Sequence, residues 1–175
     1  TDLTEERRVS KFMDSANNIL AGDPLHALVN NEGVSPKSHN QERLGCLNGE
    51  IEAWREVFEL NFYAPLKLSK GFASALAKGR GSIINVTSIA GHKIHPFAGS
   101  AYSTSKAALS ALTREMANEF SSLNVRVNAI APGEISTEMI QPEYEMLIPL
   151  IPLIRMGTPQ DVAQTIYYLC SEKAE

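Results

Sequence analysis

Cysteine is scarce in this chain, and the two residues present, Cys46 and Cys170, have neither metal-ligand spacing nor the density of a disulfide scaffold. That excludes a small secreted domain held by bridges and favours reduced, structural thiols in a cytoplasmic protein. No apolar run approaches the ~20 residues a membrane span needs, and the first residues lack a signal peptide's apolar core. Neither sign of charge dominates: 16 Lys and Arg stand against 20 Asp and Glu, a net charge of −4. Such a balance gives no reason to expect nucleic acid or an anionic membrane as a partner. Internal repeats and low-complexity tracts are also absent. What is there is 43% hydrophobic and 21% charged, over 175 residues, the make-up of a single globular domain spanning 1–175.

The apolar pattern alternates between helical and extended periods. From Thr4 the residues Val9, Phe12, Met13, Ala16, Ile19 and Leu20 keep helical spacing, and Gly22-Asp23-Pro24 ends that helix. Leu25–Val29 is a short apolar run that predicts a buried parallel strand, with His26 a satisfied core or strand-end histidine. Residues 34–49 form a polar loop that can shape a substrate entrance. A long helical pattern then covers Glu50 to Lys78, with Pro65 inside it to kink or divide it. Ser82–Val86 and Val125–Ile130 predict two further strands, and Ser100–Phe120 a helix between them. Met139–Arg155 carries Pro142, Pro149 and Pro152, a poor recipe for one regular helix. Thr158-Pro159 is a helix start, with Thr as N-cap and Pro at the first position.

The chemistry concentrates at Tyr102 and Lys106, with Ser88 fourteen positions before the tyrosine. Spaced i, i+4 on a helix, the phenol and the ammonium share one face, about 6 Å apart along the axis. An ammonium there favours the phenolate and lowers a pKa that starts near ~10, preparing an acid/base for alcohol chemistry. Ser88 supplies a second hydrogen bond to the same substrate oxygen if the loop holding Gly91, Pro96 and Gly99 folds back. That loop carries His92, Lys93 and His95, which lack an acidic or thiol partner in sequence and so predict exposed histidines rather than a metal site.

A lone Tyr-x-x-x-Lys is common by chance; its neighbours make it specific. Asn30-Asn31-Glu32-Gly33, then Leu60-Asn61-Phe62, Ser88, Tyr102 with Lys106, and Asn128-Ala129-Ile130-Ala131-Pro132-Gly133 occur in that order. Together they resemble the short-chain dehydrogenase/reductase family, in which Asn, Ser, Tyr and Lys form a catalytic tetrad. The resemblance runs from Asp2 to the C-terminus. It implies a Rossmann-like, doubly wound parallel α/β sheet and hydride transfer between NAD or NADP and a small alcohol or ketone. Tyr102 is implied as the acid/base, Lys106 as its tuner and ribose anchor, Ser88 as the carbonyl positioner and Asn61 as the holder of a water. The implied cofactor contacts are Asp2 and Leu3 at the adenine, then Asn30, Gly33, Thr87, Tyr102, Lys106, Pro132 and Gly133, with Ile135 and Thr137 near the carboxamide. The family's substrate lid matches 139–155. Family members pair the two long helices with a second subunit. Ala101, Ala107, Ala108, Ala111 and Ala117 leave a smooth surface for such pairing in a dimer or tetramer.

Two departures qualify the resemblance. Glu32 stands where the family usually has Ala, placing a carboxylate beside a phosphate-bearing ligand unless it points elsewhere. No G-x-x-x-G-x-G stretch occurs, and the final strand with its Gly-Gly is missing, so the fold is expected to be incomplete at both ends of this chain. The missing segments are expected in the parent protein, and with them the residue that chooses between NAD and NADP. An edge left bare along Leu25–Val29 is then an aggregation hazard. The alternative is a non-catalytic homologue or fragment serving as an oligomerisation or binding module. An enoyl reductase is a weaker third reading, because its tyrosine and lysine are usually spaced more widely.

Overall fold

The computed structural model describes residues 2–137 and 142–174. Three parallel strands, β1 (Ala27–Asn30), β2 (Ser82–Val86) and β3 (Arg126–Ile130), lie in the order β1-β2-β3. Ala27 stands opposite Ser82, and Ser82 opposite Arg126, so the strands' C-terminal ends finish at one edge of the sheet. All five residues of β2 are buried, as a central parallel strand requires. β1 departs from the expected buried strand. It is an edge strand among the described residues; His26 is exposed and Val29 is 38% exposed.

Helix α1 (Glu6–Leu20) ends on Ala21 and Gly22, both with positive φ, so the turn expected at Gly22 reverses the chain through left-handed backbone. The long helical pattern after residue 50 divides, and the division is physical. Helix α2 (Ile51–Phe58) runs into a π-helical turn (Glu59–Tyr63), then α3 (Ala64–Gly71) and α4 (Ala73–Gly79). Pro65 lies in the first turn of α3, where its missing N–H is tolerated. Asn61 sits in the wide turn itself. Helix α5 (Ser100–Ser121) packs against β3 and α2. Helix α6 (Pro159–Cys170) starts as expected, with a reciprocal capping box between Thr158 and Asp161.

The core joins α1, α3, α4, α5 and the sheet through Val9, Leu68, Phe72, Leu76, Ile83, Met116, Val125 and Val127. Burying each such side chain contributes about 1.5–3 kcal/mol. A polar chain runs beside it. Asn30 donates to Ser69 (3.3 Å) and Asn85 (2.8 Å), and Asn85 donates to Thr113 (2.9 Å), which donates to the Leu109 carbonyl (2.7 Å). These bonds tie α3, the sheet and α5 together where the strands end. The expected free alanine face of α5 is only partly free. Ala101 is buried and Ala117 packs on the core, leaving Ala108 half-buried and Ala111 exposed. The thiols also differ from expectation, since Cys46 is exposed rather than structural.

Candidate active site

At the C-terminal edge of the sheet the strands release their chains into loops, and these loops enclose a cavity of about 660 Å³. Ser88 follows β2 and caps a single 3-10 turn (Ile89–Gly91), its hydroxyl accepting from the Ala90 N–H at 3.1 Å. Helix α5 delivers Tyr102 and Lys106 one turn apart. All three line the cavity, with Gly33 and Thr87 beside them. Pro132, Gly133, Ile135 and Thr137 line it from the turn after β3. That turn is held to the start of α6: Gly157 N–H donates to the Glu134 carbonyl at 2.8 Å, and Ser136 N–H to the Gly157 carbonyl at 2.9 Å.

Four sequence candidates lie elsewhere. Asn30 commits its amide nitrogen to the buried polar chain, while its side-chain oxygen is buried without a partner among the described residues. Leu3 packs on the hydrophobic core, and the Asp2 carboxylate accepts from Thr4 at the surface. Neither Asp2 nor Leu3 lines the cavity. Asn61 is fully buried; it accepts from the Val34 N–H (2.9 Å) and donates to the Val34 carbonyl (3.1 Å) and Ser105 hydroxyl (3.1 Å). It therefore clamps the loop after β1 to α5.

Lys106 is 3% exposed, an unusual place for an ammonium. Nζ donates to the carbonyls of Val86 (2.8 Å) and Glu32 (3.0 Å), which satisfies two of its three donors. Burial lowers its pKa to about 8, with the Glu32 carboxylate pulling upward. A side chain on Gly33 would place its Cβ 3.2 Å from that nitrogen, close enough that the lysine end would have to yield.

Tyr102 behaves differently from the sequence expectation. Burial pushes its phenol up; the Ser88 hydroxyl draws it down, and the Glu134 carboxylate adds to the rise. Lys106 Nζ lies 5.9 Å from the centre of the ring, and its charge is not what sets the phenol. Tyr102 is thus held as the neutral acid, able to give a proton to an oxygen beside Ser88.

Glu32 does not point away. One carboxylate oxygen is buried without a partner among the described residues, and burial raises its pKa. His95 also overturns its expectation of exposure. It is 7% exposed, and Nε2 lies 2.9 Å from the Glu134 carboxylate. The Phe97 and Ala98 N–H groups donate to Nδ1 (3.2 and 3.1 Å), which leaves Nε2 to carry the proton toward Glu134. Sequence reasoning missed the partner because Glu134 is 39 residues away, across the cavity. The loop 34–49 also docks here: Arg43 Nε donates to the Ala98 carbonyl (2.6 Å), Lys37 to that of Phe97 (2.9 Å), and Ser35 reaches the cavity. Tyr144, from the 3-10 segment Pro142–Leu150, closes one side, whereas residues 138–141 of the expected lid lie outside the described residues.

The residues at this cavity fit the nicotinamide half of a dinucleotide: a buried ammonium with a spare donor, a glycine where a side chain would crowd it, and a phenol–hydroxyl pair. Comparison with known proteins agrees. A family model described as enoyl-(acyl carrier protein) reductase matches residues 1–175. The chain is 51% identical over 174 residues to protein FixR of Bradyrhizobium diazoefficiens, covering 99% of this chain but 63% of FixR, less than two thirds of that relative's length. It is 34% identical over 185 residues to the inactive 2-(S)-hydroxypropyl-CoM dehydrogenase 2 of Xanthobacter autotrophicus, covering 99% of this chain and 76% of that protein. A crystal structure of a Brucella ovis oxidoreductase, in complex with a partially ordered NAD, matches with a TM-score of 0.85 at 43% identity, over 99% of this chain and 72% of that one. The chain belongs to the short-chain dehydrogenase/reductase family. No helix among the described residues is long and apolar enough to cross a membrane.

Proposed function

We propose that the chain is the catalytic part of a cytoplasmic NAD- or NADP-dependent oxidoreductase that interconverts a secondary alcohol and a ketone, working as a homo-oligomer. The observation that carries this reading is the convergence of Ser88, Tyr102 and Lys106 on one cavity. The nicotinamide, when bound, supplies or accepts the hydride. Tyr102, a neutral phenol by burial, gives its proton to the ketone oxygen and takes it back in the reverse direction. Ser88 hydrogen-bonds the same oxygen and orients the carbonyl. Lys106, with two donors committed to carbonyls, offers the third to a ribose hydroxyl. Asn61 acts through position, fixing the loop that holds Glu32 and Gly33 against α5.

One observation favours the non-catalytic reading, namely the unpartnered oxygen of Glu32 at the cavity wall. A carboxylate there opposes a phosphate-bearing ligand, whereas a mere binding module has no use for Ser88, Tyr102 and Lys106 together. Nicotinamide fluorescence titration of the full-length protein, followed by a screen of simple alcohols and ketones, separates the two. Saturable NADH or NADPH binding with turnover of any of these compounds supports the enzyme; no binding of either cofactor contradicts it.

A further inference from the structure

The wall of the cavity next to Ser88 and Tyr102 carries a carboxylate that hydride transfer does not use. Glu134 is 10% exposed at its side chain, and among the described residues its partner is His95. Two backbone N–H groups hold His95 Nδ1, and its ring lies beside that of Tyr144, tilted by 34° with centroids 5.8 Å apart. Tyr144 in turn lies 4.7 Å from the ring of Phe97. His95 thus engages one carboxylate oxygen while Glu134 still lines the open cavity.

The charge is directed toward the chemistry. Glu134 is felt at the hydroxyls of both Tyr102 and Tyr144. The cavity wall around it also carries Ile89 and Ile135. Lys106 is the cavity's lysine or arginine among the described residues, and it is committed to the Glu32 and Val86 carbonyls. An anionic substrate would meet the Glu134 carboxylate beside a histidine whose Nδ1 is held as an acceptor by two backbone N–H groups. A substrate with a spare donor would meet a preorganised acceptor.

On the oxidoreductase reading above, we infer that Glu134, braced by His95, selects the substrate by accepting a hydrogen bond from a second donor, a hydroxyl or an ammonium, close to the reacting carbinol. The class is a diol, polyol or amino alcohol, and simple carboxylate-bearing alcohols are disfavoured. A charge-assisted bond of this kind favours the donor-bearing compound by roughly 10- to 100-fold over its analogue lacking the donor.

The test uses the full-length protein with its preferred nicotinamide cofactor and four compounds: 2-butanol, 2,3-butanediol, 3-amino-2-butanol and 3-hydroxybutyrate. Turnover is read as kcat/KM, and binding is read separately by calorimetry on the cofactor-loaded protein. The expected order places the diol or the amino alcohol at least about tenfold above 2-butanol, with 3-hydroxybutyrate last. Glu134→Leu should bring the first three within about threefold of one another. Glu134→Gln keeps an acceptor for His95 and so guards against misfolding; it should penalise the amino alcohol more than the diol, because its carbonyl still accepts from a hydroxyl but offers no charge to an ammonium. An unchanged order in both variants, or 3-hydroxybutyrate ranking first in the wild type, overturns the inference and leaves the redox reading standing. Glu134-dependent binding without turnover of any compound does the reverse. Absence of both binding and turnover overturns the two together.

Discussion

A Cβ on Gly91 would lie 2.8 Å from the backbone nitrogen of Ala107 and 3.0 Å from the carbonyl carbon of Lys106. The turn that carries Ser88 is thus pressed against the backbone of α5 at the lysine itself, so the spacing between Ser88, Tyr102 and Lys106 depends on one missing methyl group. Backbone cannot yield as a side chain does. Gly91→Ala should therefore cost about 1–3 kcal/mol of stability, the range for overpacking a tight contact. Denaturant unfolding of the variant checks this, and an unchanged midpoint contradicts the contact.

The neighbouring lysine makes a prediction about pH. Cofactor binding that relies on the Lys106 ammonium should weaken as pH rises through about 8. The Glu32 carboxylate raises that value, so Glu32→Gln should move the binding midpoint to lower pH. Stability has the opposite sign. The folded pKa lies below the unfolded 10.5, so the unfolded chain binds the extra proton between those values, and this group's contribution to stability rises with pH across that window. Fluorescence titrations of NADH at a series of pH values read the first effect. A midpoint that stays in place or moves upward in Glu32→Gln would contradict the coupling.

Assembly gives a third test. Ala111 is exposed in the chain itself, so an arginine there has room and should leave the fold intact. If α5 pairs with a second subunit, Ala111→Arg should lower the light-scattering mass by whole subunits while the melting temperature of the monomer unit is kept. An unchanged mass removes this face from the interface.

Local signals in the sequence carried most of the fold. The strands Ser82–Val86 and Arg126–Ile130, the helix end at Gly22, the break near Pro65 and the Thr158 cap each rest on neighbours within a few residues, and each lies where it was expected. The meeting of Ser88, Tyr102 and Lys106 was legible because order and spacing along the chain reflect the strand–loop–helix path. What was illegible depended on distant partners. The bonds from Asn30 to Ser69 and Asn85 were not foreseen, because nothing local in the sequence marks those residues as its partners. His95 looked exposed because Glu134 meets it only when two loops close over the sheet edge. The tuning of Tyr102 also escaped, since i, i+4 spacing gives the distance to Lys106 but not the burial that outweighs it.

The central claim is that Tyr102 transfers the proton while a hydride moves to or from the nicotinamide. Tyr102→Phe keeps the ring and its packing and removes only the hydroxyl. In the full-length protein, with the best substrate from the alcohol and ketone screen, kcat should fall by about two to four orders of magnitude. The NADH dissociation constant should stay nearly constant, because Lys106 remains in place. Near-normal turnover in the phenylalanine variant would contradict the account.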